Sequence, residues 1–156
     1  MQMKDKEDTM STAMNLLQIK GYDVWSVSPD TIVFDALRLM ADKDIGALLV
    51  MENDRLVGIL SERDYARKIV LFGKSSHDTK VREIMTEEVI TIHPMQTAHE
   101  CMALMTEKRV RHLPVMEGER VLGMISIGDV VRDIIYSQRE AIKSLEDKVL
   151  GGGKAG

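Results

Sequence analysis

Two stretches of the chain, GILSERD (Gly58–Asp64) and GMISIGD (Gly123–Asp129), write one pattern 65 positions apart: glycine, two apolar residues, serine, two variable residues, aspartate. Such a pattern is either helix punctuation repeated with the fold, or a repeated grip on a ligand. Sliding the chain over itself by the same 65 residues widens the repeat. Identities fall at Val24/Val89, Pro29/Pro94, Leu39/Leu104, Met40/Met105, Lys43/Lys108, Val50/Val115, Met51/Met116 and Glu52/Glu117. They continue at Arg55/Arg120, Gly58/Gly123, Ser61/Ser126, Asp64/Asp129, Arg67/Arg132 and Ile69/Ile134. Most other pairs set apolar against apolar, such as Val27/Ile92 and Ile45/Val110. A fixed offset sustained this long marks a duplicated supersecondary unit.

Each unit has the same inner order. A short apolar strand (Val24–Val27; Val89–Ile92) stops at Ser28-Pro29 or His93-Pro94. A helical pattern follows, with Ile32, Ala36, Leu39 and Met40 on one face, matched by Ala98, Cys101, Leu104 and Met105. Two strands joined by a tight polar turn come next: Ala47–Glu52 and Arg55–Leu60 around Asn53-Asp54, then His112–Glu117 and Arg120–Ile125 around Gly118-Glu119. A second helix closes each unit, from about Glu62 to Leu71 and from about Ile127 to Gln138. The expectation is an α/β (α+β) fold, β-α-β-β-α twice, packed about a pseudo-twofold axis because one unit alone exposes apolar faces on both layers.

The flanks add helices. Residues 1–16 are read as a polar tail and the start of a leading helix, Ser11–Lys20, which ends at Gly21. The first repeat spans 17–72, a linker 73–79, and the second repeat 80–138, opening with a short connecting helix at Lys80–Met85. Residues 139–150 continue as a charged helix, and 151–156 (GGGKAG) are expected to be a flexible tail. The 156 residues are 44% hydrophobic and 29% charged, an ordinary globular composition. A net charge of -4 argues against nucleic acid as a partner, which calls for a basic field. No apolar run approaches the roughly 20 residues of a membrane span. The polar start and the single Cys101 suggest a cytoplasmic protein.

The layout, with Gly-h-h-Ser-x-x-Asp at the third strand of each unit, resembles the CBS domain, and two such units resemble a CBS pair. Val27-Ser28-Pro29, Ile92-His93-Pro94 and Arg111-His112-Leu113-Pro114-Val115 carry the resemblance with the two opening motifs. The regulatory CBS pair of inosine monophosphate dehydrogenase is similar, without that enzyme's catalytic barrel. The resemblance implies a non-enzymatic sensor that binds an adenine nucleotide (AMP, ADP, ATP or NAD) in clefts shared between repeats. It also implies a homodimer through the CBS helices, and leaves room for an unidentified regulated protein.

Ser61-Asp64 and Ser126-Asp129 can be read as capping boxes, with the acid favourable near a helix N-terminus. The same geometry presents free N–H groups to phosphate, and the resemblance gives the aspartates to ribose hydroxyls. It implies that the Ser61/Asp64 cleft is walled by Arg111, His112 and Pro114 of the other repeat, and the Ser126/Asp129 cleft by Ile45, Gly46 and Ala47. Trp25 and Val27, on the opening strand, would border an adenine pocket. Arg63 and Arg111 suit phosphate through paired guanidinium hydrogen bonds. The matching positions of the second cleft hold no cation (Gly128, Gly46, Ala47), so phosphate is expected at the first. An interaction module with vestigial clefts and an S-adenosylmethionine binder are the alternatives. His77, His93, His99 and His112 lack paired metal-ligand spacing, so no metal is expected. Phe72-Gly73-Lys74-Ser75 is no P-loop, since Lys68 stands where the first glycine is required.

Overall fold

A computed structural model describes residues 10–155, with side chains as far as residue 150; the expected tail at residues 1–9 lies outside the described residues. The elements run α1 (Ala13–Lys20), β1 (Ser26–Val27), α2 (Val33–Lys43), β2 (Ala47–Glu52), β3 (Arg55–Ser61), α3 (Glu62–Tyr65) and a π-helical turn (Ala66–Val70). They continue with α4 (Val81–Ile84), α5 (Ala98–Lys108), β4 (His112–Glu117), β5 (Arg120–Ser126) and α6 (Ile127–Ala155). The duplication is visible in detail. α2 and α5 both stop at a left-handed residue, Asp44 (φ 53°) and Arg109 (φ 55°). β2–β3 and β4–β5 pair antiparallel, each with a register shift after the matching valine, Val50 and Val115. The hairpin turns differ: Asn53 and Asp54 both take positive φ, whereas in the second turn only Gly118 does.

Four boundaries depart from the sequence expectation. β1 is only two residues, paired parallel to β2. The matching strand at Val89–Ile92 is reduced to one parallel bridge, Ile92 to Val115. Proline explains the difference: Leu49 donates its N–H to Trp25 (3.1 Å), and its counterpart Pro114 has no N–H to give. The helix after β3 passes at Ala66 into a π turn, closed by Leu71 N–H on the Ala66 carbonyl (3.2 Å). The helices expected at 127–138 and 139–150 are one, Ile127–Ala155, because neither Gly nor Pro interrupts 129–150; the side chains of 151–156, expected as a tail, lie outside the described residues.

The core lies in two clusters, and their membership shows how the repeats are joined. Val33, Ala36, Met40, Leu48, Val50, Leu60 and Ile69 of the first repeat are packed with Val81 and Ile84 of α4. Ile92, Ala98, Cys101, Met105, Leu113, Val115 and Ile125 of the second are packed with Ala13, Leu16 and Leu17 of α1. Each repeat is therefore covered by the helix that leads into the other. Backbone bonds follow the exchange: Ala13 and Met14 donate to Gln96 and Pro94, and Val81 and Arg82 to Thr31 and Pro29 (2.8–2.9 Å). The glycines of the opening motifs sit where the exchanged helix presses closest. A Cβ on Gly123 would stand 2.7 Å from Leu17 Cδ2, and one on Gly58 2.7 Å from Met85 Sδ. Their bareness serves helix-on-sheet packing.

Candidate ligand site between the repeats

Ser61 and Ser126 end β3 and β5, and both motifs close into reciprocal side-chain and backbone hydrogen bonds. The Asp64 carboxylate accepts from Ser61 N–H (3.0 Å) and Oγ (3.1 Å), while Ser61 Oγ accepts from Asp64 N–H (3.2 Å). Asp129 does the same with Ser126 N–H (2.8 Å) and Oγ (3.0 Å). Each second carboxylate oxygen is also engaged. Asp64 Oδ1 accepts from Thr86 Oγ1 (3.0 Å) and faces Lys68 Nζ (3.2 Å). Asp129 Oδ1 accepts from Arg132 (2.7 Å), and Lys20 Nζ sits 2.6 Å from Oδ2 while also donating to the Met124 carbonyl (2.8 Å). Asp64 is 8% exposed, enclosed by protein partners.

Two expectations about charge change here. The Ser126/Asp129 mouth has cations after all, Lys20 and Arg132; Lys20 arrives because α1 crosses onto the second repeat, which no comparison of matching positions reveals. Arg63 is occupied: its guanidinium donates to the Arg109 carbonyl (2.9 Å), closing the end of α5 across the seam. Lys20, Arg132, Lys68 and Thr86 were not singled out in the sequence. The i+4 spacing of Asp64 to Lys68 and the i+3 spacing of Asp129 to Arg132 were the available signals.

The remaining candidates divide into seam and core. Gly46 and His112 meet at the seam, where a Cβ on Gly46 would lie 3.4 Å from His112 Cε1 and 3.5 Å from Glu62 Oε1. Arg111 is exposed, with no side-chain hydrogen bond or ion pair among the described residues, and its carbonyl accepts from Ile127 N–H (2.8 Å). Ala47 and Pro114 are buried in β2 and β4, and Val27 and Ile45 pack against the first core. Trp25 carries Lys43 Nζ over its ring at 4.1 Å, a cation–π contact. Beside β1 a cleft of about 360 Å³ spans the repeats, lined by Tyr22, Asp23, Val24, Ser26, Leu49 and Met51 of one and Val121 and Leu122 of the other. Neither aspartate lines it.

Electrostatics at the seam favour a neutral imidazole and an ionised acid. Burial pushes the His112 pKa below its ordinary 6.5; Lys20 and Arg111 add to this and Asp129 opposes it. Burial alone would raise the Asp129 carboxyl, but the hydrogen bonds from Lys20 and Ser126 outweigh it and hold the acid below its ordinary range.

The paired mouths, the exchanged lead-in helices and the doubled hairpins match a known module, and the CBS-domain family model fits residues 18–71 and 81–136. The chain belongs to the CBS-domain family. Among its relatives is the mitochondrial CBS domain-containing protein CBSX3 of Arabidopsis thaliana, 39% identical over 96% of this chain and 77% of that protein. The chain spans as little as 22% of the length of other curated relatives. A putative signal-transduction protein with CBS domains from Burkholderia ambifaria is 49% identical, with TM-score 0.79 over 82% of this chain and 96% of that one. The hexameric CBS-CP12 protein from bloom-forming cyanobacteria (25% identity, TM-score 0.71, 88% and 83% covered) shows a CBS protein as an oligomer. The CBS pair of MJ0100, solved with 5′-methylthioadenosine and S-adenosyl-L-methionine, shares the fold at 20% identity (TM-score 0.71, 83% and 98% covered). No described helix of this chain is long and apolar enough to cross a membrane, and no three metal-ligating side chains gather among the described residues.

Proposed function

We propose that this CBS pair is a regulatory module that binds an adenine nucleotide, AMP, ADP, ATP or NAD, at the seam between its repeats. The observation that carries the reading is the seam itself. Two serine–aspartate helix mouths flank a place where Gly46 leaves backbone bare beside His112, and Arg111 stands exposed with no side-chain partner among the described residues. A helix mouth and a free guanidinium suit phosphate. A ribose would take the Thr86 or Lys68 place on Asp64, exchanging one hydrogen bond for another. The cleft lined by Val24 and Leu49 has the volume of a small-ligand pocket. Binding across the seam would bias a homodimer or a docked protein partner, by no more than the ligand's differential affinity for the two states.

A second reading has its own observation: both aspartates are fully engaged by the chain. In that case the clefts are vestigial and the module serves association alone. An S-adenosylmethionine ligand is a variant of the first reading, and the bond that occupies Arg63 favours it over a triphosphate.

Melting temperatures and calorimetric titrations with AMP, ATP, NAD and S-adenosylmethionine distinguish these readings. A ligand at 100 times its dissociation constant adds about 2.7 kcal/mol of stability. Phosphorylated adenine ligands should raise the melting temperature more than adenosine, and Arg111→Ala should abolish the difference. Asp64→Asn should weaken every adenosine ligand by about one order of magnitude or more, at about 1.4 kcal/mol per tenfold. No shift with any of the four at millimolar concentration would leave the association reading.

A further inference from the structure

The C-terminal part of α6 leaves the globular body, and its side chains from Arg139 to Leu150 are all exposed. Its apolar residues are not scattered. Val131, Ile135, Ile142, Leu145 and Val149 follow, with Gln138, an alternating spacing of four and three residues, which is the seam of a heptad repeat. These apolar positions are 37%, 43%, 56%, 63% and 74% exposed, so exposure rises away from the body along an apolar line. A single helix with such a stripe keeps it in water unless another helix covers it. Nothing among the described residues does so. Residues 1–9 (MQMKDKEDT) carry only Met1 and Met3 as apolar side chains and offer no matching stripe.

From this seam we infer that α6 pairs with α6 of a second copy of this chain as a parallel two-stranded coiled coil. The inference is independent of nucleotide binding. β-branched residues fill one seam position throughout (Ile135, Ile142, Val149), and the other holds Val131, Gln138 and Leu145. Ile or Val at the first facing Leu at the second, as around Ile142 and Leu145, favours two parallel strands. Side-chain matching selects the same orientation. In parallel register Gln138 meets its own copy and the two amides can hydrogen-bond, while flanking pairs set Ile134 against Arg139 and Ala141 against Glu146, without like charges. Reversing one copy about the middle of the seam puts Gln138 opposite the partner's Ile142, an unpaired buried amide. It also sets Arg139 against the partner's Arg139, a like-charge contact.

Cysteine cross-linking of the full chain tests orientation and occupant together. In the parallel pair, Val149→Cys lies opposite its own copy and should form an interchain disulfide under mild oxidation. In the reversed pair the two sites lie about 27 Å apart at 1.5 Å per residue. Adding Leu145→Asp should cut the cross-linked fraction at least about tenfold while leaving the monomer's melting temperature unchanged, since Leu145 touches no core. Cross-linking of Val149→Cys only when mixed with Val131→Cys would overturn the parallel arrangement. A monomer by ultracentrifugation at all concentrations, with no cross-link, would overturn the pairing. So would a cross-link that Leu145→Asp leaves unchanged.

Discussion

His112 is the side chain on which the seam's pH response turns. Burial beside Lys20 and Arg111 holds its folded-state pKa below 6.5, so the unfolded chain takes up a proton first as pH falls. Its contribution to stability is therefore complete above the unfolded value and is lost as pH drops from about 6.5 through the folded pKa. Asp129, also depressed, adds a second loss in the same direction at lower pH, below its ordinary 3.8. Melting temperature should fall between pH 7.5 and 5.5, and His112→Gln should flatten that limb while sparing the acid limb. Equal slopes in both proteins would remove His112 from the account. Gly123 poses a steric question instead. A methyl there meets Leu17 at 2.7 Å, so Gly123→Ala should cost about 1–3 kcal/mol in denaturant unfolding. Pairing it with Leu17→Ala should recover part of the loss, a coupling absent for Gly123→Ala with Met85→Ala.

Among the elements, α1 and α4 matter most, because each stabilises the repeat it does not introduce. Leu17 is fully buried among Ile92, Cys101, Met105 and Val115 of the second repeat. Leu17→Ala should cost about 2–5 kcal/mol, the usual range for a buried leucine with a residual cavity. Hydrogen exchange should show where: amides of β4 and β5 should lose protection before those of β2 and β3. The reverse order would contradict the exchange of helices. The capping boxes belong to this scale too. Ser61–Asp64 and Ser126–Asp129 start helices and at the same time fasten Thr86, Lys68, Lys20 and Arg132, so the repeated motif punctuates the fold whether or not a ligand visits it.

For the whole molecule, the exchange means that neither half contains its own cover. A chain cut within residues 72–78 leaves the Gly58 face without Met85 in the first half, and the Gly123 face without Leu17 in the second. Each half alone should aggregate or self-associate, and the two mixed should reassemble one to one with the spectrum of the intact protein. A soluble, monomeric and well-dispersed single half by NMR would contradict the shared core. The α6 pairing adds a second level, in which two such bodies hang from one helical stalk.

Most of the architecture was legible because duplication writes its own evidence. The 65-residue offset located both hairpins, both capped helices and both motifs, since local periodicity and turn chemistry act within a few residues. Residues 13–20 show the limit. Ala13, Leu16 and Leu17 correspond to Val81, Ile84 and Met85, but a longer linker displaces them by three residues, so an ungapped overlay misses the match. Nothing local says which repeat a helix will cover. That choice depends on which grooves the glycines leave open after both sheets exist, and it carried Lys20 to Asp129. Arg63 suggests a phosphate ligand because its neighbours in sequence form a helix mouth, but its partner, the Arg109 carbonyl, is 46 residues away in the chain. The sequence determined the units and their punctuation, whose causes are short-range. Which repeat wears which helix, and which cations reach which acid, is settled by long-range packing, because those contacts exist only once the two repeats lie together.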